Sequence, residues 1–375
     1  MSRSSKITRV VAAAVLASVF WMVAEPAPVV VQGSTDPKLV DKATSAIDRA
    51  LRWLRSIQKP DGSYGGHLGI TALVVTAMAR SHRAYREGDG PFMRDAVAHI
   101  RRAARSDGSF SHGGGYEMYT TALSVIALKA LADPKHDELI HKAQGWMKAQ
   151  QTIEHLGYRP EETFYGGFGY GSSLRPDLSN TQYAIEALRV SGLKPNDPIF
   201  ARALKFIERI QNRTESNDQP GALDDGGFAY YPGYSFAAAG GWTSTASMTY
   251  AGIKSFLFLD VDKNDPRVRA AVKWATENYT VEENPGMGAS GYFYYLDVFA
   301  KTWSMMRRDA VVTPDGRRRD WFQDLATKLL AEQRPEGYWV NSRSPRFWED
   351  RPELATAHAV LALAYGVEAA MGVKP

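Results

Sequence analysis

The chain has 375 residues, 44% hydrophobic and 23% charged, with a mean hydropathy of −0.32. That balance excludes a disordered chain and a multi-span membrane protein. The formal charge is +4 and cysteine is absent, which excludes disulfides, thiolate zinc sites and a cysteine nucleophile.

Residues 1–9 hold Arg3, Lys6 and Arg9 and no acid, and Val10 to Ala24 is apolar throughout. A basic start followed by about 15 apolar residues predicts a secretory signal over 1–24. The run is short for a spanning helix, which needs roughly 20 residues. An uncleaved anchor is the rival reading. The expected location is therefore exported: periplasmic, secreted or held at a membrane by the uncut segment. Removing 1–24 deletes three positive charges and no negative one, leaving about +1. Nucleic-acid binding loses its main support with them. Residues 25–37 read as a linker and 38–371 as one domain.

The domain is a sixfold repeat: an amphipathic helix, a Gly/aromatic loop, then a more apolar helix with small residues and Thr. Unit one runs from Ala43 to Ile57, through Gln58-Lys-Pro-Asp-Gly-Ser-Tyr64, to Gly69–Met78. Unit two runs from Met93 to Ala104, through Asp107-Gly-Ser-Phe110, to Tyr119–Leu128. Unit three runs from Leu139 to Gln151, through Tyr165-Gly-Gly-Phe-Gly169, to Ser179–Leu188. Unit four runs from Phe200 to Gln211, through Asp224-Asp-Gly-Gly-Phe228, to Thr243–Tyr250. Unit five, the weakest match, runs from Val268 to Asn278, through Gly291-Tyr-Phe-Tyr294, to Asp297–Met306. Unit six runs from Trp321 to Glu332, through Gln333-Arg-Pro-Glu-Gly-Tyr-Trp339, to Leu354–Leu363.

Ile47, Leu51 and Leu54 form one stripe of a surface helix, whereas each second helix is apolar on most sides, as an enclosed helix is. Prolines 134, 195, 198 and 266 fall between units, where new helices begin. No long alternating β-branched run occurs, so little sheet is expected. An open solenoid needs polar caps at its ends. Here the outermost second helices are as apolar as the middle ones. The expectation is an all-α, closed (α/α)6 toroid, with six apolar helices inside six amphipathic ones. Glycines 62, 108, 227 and 337 are expected to turn with positive φ, and Gln58 and Gln333 to bond exposed helix-end groups.

Gln333-Arg-Pro-Glu-Gly-Tyr-Trp339 resembles the QW motif of squalene and hopene cyclases, and Gln58-Lys-Pro-Asp-Gly-Ser-Tyr64 is similar, with Tyr for Trp. The resemblance covers about residues 40–370 and extends to protein prenyltransferase β subunits and complement-like thioester domains. It implies a toroid handling an isoprenoid or similar apolar ligand, as a divergent terpene cyclase or prenyltransferase. The alternatives are a non-catalytic toroid binding a lipid or protein at its rim, and a carbohydrate-active (α/α)6 enzyme. No metal or cofactor is expected. Peripheral membrane association is compatible with a greasy ligand.

Chain order puts the inner-helix N-termini on one rim, where their dipoles favour an anionic group. Aromatics gather just before them: Tyr116, Tyr119, Tyr230, Tyr231, Tyr234, Trp242, Phe347 and Trp348. An aromatic mouth suits an apolar ligand. Tyr116, Tyr119, Tyr231, Trp242 and Trp348 are the binding candidates there, joined by His112 in its Gly-rich loop and by Asp297 and Trp303 of unit five. The resemblance places the Asp-x-Asp-Asp acid of the cyclases at Pro176-Asp-Leu-Ser-Asn180. Asp177 matches its first Asp, while Ser179 and Asn180 replace the next two. A lone Asp at a helix start is expected to be ionised, as a cap and a poor acid. Asp297-Val-Phe299 is similar to the Asp-Val-Cys zinc ligands of the prenyltransferases, with Phe in place of Cys. His358 lies on the helix of their His ligand, although Thr356 fits the helix phase better. The remaining acid candidates are Asp225, in the Asp224-Asp225 pair before two glycines, and Glu349 and Asp350 beside Trp348.

Overall fold

A computed structural model describes residues 36–171 and 175–373. The expected signal over 1–24 and residues 25–35 of the expected linker lie outside the described residues. Outer helices are α1 (Pro37–Ser56), α3 (Pro91–Arg102), α5 (Asp137–Ala149), α7 (Pro198–Glu208), α9 (Pro266–Glu277) and α11 (Trp321–Glu332). Inner helices are α2 (Leu68–Arg80), α4 (Glu117–Ala130), α6 (Leu178–Val190), α8 (Ala246–Phe258), α10 (Tyr292–Met306) and α12 (Pro352–Ala370). A small hairpin, β1 (Ala310–Val312) with β2 (Arg318–Asp320), links α10 to α11.

The local chemistry explains the helix starts. Pro37, Pro91, Pro198, Pro266 and Pro352 open their helices, where a missing N–H costs nothing. Asp36, Asp197 and Asp265 cap three of them by accepting from a first-turn N–H. On α1 the buried stripe is Ile47, Leu51 and Leu54 with three alanines. On α2 every residue from Leu68 to Ala79 is buried. An outer helix therefore rests one face on the ring, and an inner helix is enclosed.

Each inner helix packs against the next, and α12 packs against α2, so the ring closes. The loops make the closure specific. The backbone N–H groups of Tyr64, Phe110, Phe168, Phe228 and Trp339 donate to Thr71, Thr121, Thr181, Thr249 and Thr356 at 2.9–3.1 Å. Each bond ties a loop to its own inner helix. Gln333 Nε2 donates to the Gly337 carbonyl at 2.8 Å and to the Ala46 carbonyl of α1 at 2.9 Å. It thereby joins the last hairpin to the first. Gly337 has φ 104°, and a Cβ there would stand 2.7 Å from the Arg49 carbonyl oxygen, so only glycine lets the loop lie on α1.

Three details differ from the sequence reading. The glutamines bond a carbonyl of the next outer helix as well as their own loop: Gln58 reaches Phe92 in the first turn of α3 at 2.8 Å, and Gln333 reaches Ala46 in the middle of α1. Gln151 and Gln211 do the same to Ile199 and Arg267, each at 15 residues from its loop glycine. The left-handed turn expected at Gly227 falls at Gly226, with φ 84°. Gly227 is needed for room, because a Cβ would lie 2.5 Å from Ser244 Oγ. In the weak fifth unit the inner helix starts at Tyr292, ahead of the expected Asp297. Among the described residues no helix is long and apolar enough to cross a membrane.

Candidate functional site

The inner-helix N-termini surround a cavity of about 370 Å³, within the range of small-molecule sites, roughly 300–1,000 Å³. Aromatic rings dominate its wall. Tyr116, Tyr119, Tyr170, Tyr230, Phe236, Tyr294, Phe347 and Trp348 all line it, and Phe347 meets Phe236 edge-on at 5.5 Å. Ile70, Leu73, Leu123, Met248 and Leu354 complete the apolar surface. Trp348 meets His67 edge-on at 5.0 Å and Tyr116 at 5.7 Å. Phe347 and Trp348 both hold left-handed backbone, with φ 61° and 64°. Such conformations cost on the order of 1–3 kcal/mol each and concentrate at functional sites. Both rings remain partly exposed, so they form the mouth.

Polar groups enter this wall at few points. Ser179 lines the cavity at the start of α6. Behind it, Asp177 is buried and caps α6, accepting from Asn180 N and Asn180 Nδ2, both at 2.8 Å. Burial pushes its pKa up to about 6, against the pull of those donors and of the Tyr230 hydroxyl. Asp177 is thus the helix cap that the sequence predicts, with a carboxyl whose burial lifts it above the usual aspartate range. Asp177 is ionised at neutral pH but gains a proton far more readily than an exposed aspartate.

Across the cavity, His358 on α12 and Asp297 on α10 form a buried pair, with Nδ1 2.8 Å from Oδ2. A carboxylate can only accept, so the imidazole donates through Nδ1–H, and Nε2 takes no part in the pair. His358 lines the cavity. Glu349, also lining it, accepts from Tyr294 N at 2.9 Å and from Asn341 Nδ2 at 2.8 Å. Burial raises its pKa despite these donors. Thr356, the alternative match to the prenyltransferase His, clamps the Trp339 N–H at 3.0 Å. Two residues further along a helix is a rotation of about 200°, which sends His358 inward while Thr356 faces the loop. Phe299 packs among Tyr250, Tyr295 and Trp321 in the aromatic core. The Asp297–His358 pair therefore has no third donor at that position, and these residues do not fit a prenyltransferase-type zinc ion.

Below the aromatic chamber the same inner helices become charged. Glu186 on α6 bonds Lys254 of α8 at 2.8 Å and also pairs with Lys301 of α10. Burial alone would raise the Glu186 pKa, but the two ammonium groups hold it below the usual carboxylate range. Arg80 pairs with Glu368 at 2.8 Å and lies 5.0 Å from the Tyr365 ring.

Of the sequence candidates, Tyr116, Tyr119, Trp348 and Glu349 share the cavity wall, Asp177 lies behind it, and Asp297 reaches it through His358. The others do not line it. His112 meets His99 edge-on at 4.9 Å, and Tyr231 stacks on Tyr234 at 4.6 Å under Arg175. Trp242 packs on Gly221. Trp303 is fully buried against Tyr250 and Phe299 between the two rings. Asp225 accepts from Gly227 N and Ser244 Oγ, holding the turn. Asp350 is exposed beside the buried Glu349. Sequence reasoning passed over His67, Tyr170, Phe236 and Ser179 as lining groups; the signal available for Tyr170 was its place directly after the Gly/aromatic loop Tyr165–Gly169.

A closed α/α toroid with a cavity at its inner-helix N-termini is the class that these features define. The family model described as the squalene-hopene cyclase C-terminal domain matches residues 67–236. The chain is 24% identical over 317 residues to a drimenyl diphosphate synthase of Streptomyces showdoensis, covering 81% of this chain and 49% of that protein. It is 24% identical over 195 residues to a squalene–hopene cyclase of Bradyrhizobium diazoefficiens, covering 45% of this chain and 29% of that protein. The chain thus spans half or less of the length of these relatives. Among solved structures, a type II terpene cyclase from Scytonema in complex with geranylgeranyl dihydroxybenzoate superposes with a TM-score of 0.56 at 12% identity, covering 89% of this chain and 99% of that one. An α-1,6-mannanase from Salegentibacter gives 0.58 at 12%, covering 86% and 98%. The chain has the architecture of the terpenoid cyclase and prenyltransferase-like α/α toroids.

Proposed function

We propose that the cavity encloses the hydrocarbon chain of an isoprenoid and that His358, oriented by Asp297, exchanges a proton with it. The observation that carries the reading is the ring of aromatic side chains around a largely apolar cavity, with the His358 imidazole in its wall and its Nδ1 bonded to Asp297. Aromatic faces attract positive charge on a bound chain. With an allylic diphosphate as substrate the charge arises when the C–O bond breaks and diphosphate leaves with its electron pair; an imidazole fixed by a carboxylate is then placed to take a proton from the adjacent carbon, the C–H electron pair becoming a double bond. The relatives named for drimenyl diphosphate and squalene–hopene chemistry, and the Scytonema cyclase bound to a geranylgeranyl compound, support an isoprenoid ligand.

The proposal does not extend to alkene protonation by an Asp-x-Asp-Asp acid, because Ser179 and Asn180 stand where two carboxylates would be. A sugar-cleaving role draws no support from the site. The mannanase neighbour has an inactive variant altering two aspartates, whereas the only Asp-Asp pair here sits in the turn at Asp224–Asp225, with Asp224 accepting from Thr214 N. The segment over 1–24 supports an exported setting for the activity.

The test is equilibrium binding of geranyl, farnesyl and geranylgeranyl alcohols and diphosphates, followed by product analysis. Trp348→Ala is expected to weaken binding at least tenfold, about 1.4 kcal/mol. His358→Gln is expected to keep affinity and lose turnover. Affinity unchanged by Trp348→Ala would remove the cavity as the site. Turnover unchanged by His358→Gln would remove its proton-transfer role.

A further inference from the structure

We propose that Glu87, Asp133 and His136 form a binding site for a first-row divalent metal ion of the zinc type, away from the aromatic cavity. Glu87 stands in the 3-10 turn Glu87–Asp89 between α2 and α3, and His136 ends the turn Pro134–His136 between α4 and α5. The two turns join separate helix pairs. One donor atom from each of the three side chains lies within 4.8 Å of the others.

The histidine is the telling group. His136 is fully buried, and neither ring nitrogen has a hydrogen-bond partner among the described residues. The facing Glu87 Oε2 is also buried, with the Lys135 ammonium 3.0 Å away as its charged neighbour. A buried imidazole with both nitrogens unbonded is uncommon, since burial without a partner costs on the order of 1–3 kcal/mol. Yet His136 Nε2 and Glu87 Oε2 lie 3.2 Å apart. Zinc bonds of about 2.0–2.1 Å to nitrogen and oxygen, set at tetrahedral angles, place neighbouring donors about 3.3 Å apart. The pair already has that spacing, and Asp133 supplies the third donor beside it. One nitrogen and two carboxylates leave a position for water.

Two cations now neutralise the carboxylates. Lys135 Nζ is 3.0 Å from Glu87 Oε2 and 2.8 Å from Asp133 Oδ2, and Arg101 is 3.5 Å from Glu87 Oε1. The Lys135 side chain is 47% exposed, so it can swing into water when a metal ion arrives. The ammonium is thus a competitor for the site. This gives the proposal a signature that a plain salt-bridge cluster lacks: removing Lys135 must strengthen metal binding. A bound ion would clip the first two inter-pair connections together without touching the cavity.

The experiment is titration of the chelator-treated full chain with zinc chloride by calorimetry, with magnesium chloride as the control, alongside thermal melts. One zinc ion per chain is expected, with a raised melting temperature and little response to magnesium, whose preference is for oxygen donors. His136→Gln and Asp133→Asn are expected to weaken zinc binding by more than the roughly 10–100-fold typical of losing an outer-shell partner. Lys135→Ala is expected to tighten it. Circular dichroism confirms that each variant is folded, and Asp133→Asn and Lys135→Ala alter partly exposed groups, so they test the site even if His136→Gln fails to fold. Absence of one-to-one binding, or binding indifferent to Asp133→Asn and Lys135→Ala, would overturn the proposal.

Discussion

The two ends of the inner barrel are made by the same six helices and obey opposite rules. At the N-terminal end, rings surround open space, polar groups are few, and two mouth residues hold strained backbone. At the C-terminal end the space is closed by ion pairs: Glu186 with Lys254 and Lys301, and Arg80 with Glu368. The charged end fixes how inner helices meet, because a buried charge tolerates only a paired geometry. The aromatic end is free of that duty and is available to a ligand.

Mutations at the two ends should therefore separate stability from binding. The largest effect is expected at the floor. Glu186→Gln leaves Lys254, 1% exposed, without its countercharge. The expected cost is about 3–5 kcal/mol in denaturant unfolding. A cost below about 1 kcal/mol would show that the ion pairs do not hold the barrel.

Next comes the pH response of the mouth. The Asp177 pKa is about 6 in the folded chain and near 3.8 in the unfolded one. The folded state therefore holds a proton that the unfolded state has lost between about pH 4 and 6. Stability must fall as pH rises through that window and level off above it, by on the order of 3 kcal/mol. Asp177→Asn keeps the cap and removes the ionisation. Asn180 Oδ1, buried and unpartnered, can accept from the new amide after a flip of the Asn180 side chain. The variant is expected to be more stable than the parent at pH 7 and to lose the slope between pH 4 and 6. An unchanged slope would show that Asp177 is not its source.

A smaller loss tests the ring itself. Gln211→Ala leaves the Gly226 and Arg267 carbonyls without their donor, at a cost of about 1–3 kcal/mol. Urea midpoints should fall accordingly, with ligand affinity unchanged. A variant as stable as the parent would mean that the glutamine clamps do not hold the ring.

Much of this fold could be read from residues alone. The Gly/aromatic loops and the recurring Thr give the six units, and in five of them the Thr proves to be the group that clamps the loop's aromatic N–H. The apolar character of α2 and α12 indicates closure. The glutamines of units three and four were hidden because 15 residues separate Gln151 and Gln211 from their glycines, against four for Gln58 and Gln333. The site was less legible. Rim aromatics such as Tyr116 and Trp348 can be picked out, since the order of loop and helix fixes the rim. Asp297 and His358 are 61 residues apart, and their meeting depends on the rotation of α10 against α12, which no periodicity encodes. Trp303 and Asp225 looked like site residues because aromatic and acidic groups serve both cores and turns.

The most direct test of the cavity as an isoprenoid site is photo-crosslinking of the folded chain with a geranylgeranyl probe bearing a diazirine, followed by peptide mapping. Adducts concentrated on Tyr119, Tyr294 and His358, and suppressed by excess geranylgeraniol, are expected. Adducts confined to the outer helices, or insensitive to competitor, would contradict the assignment.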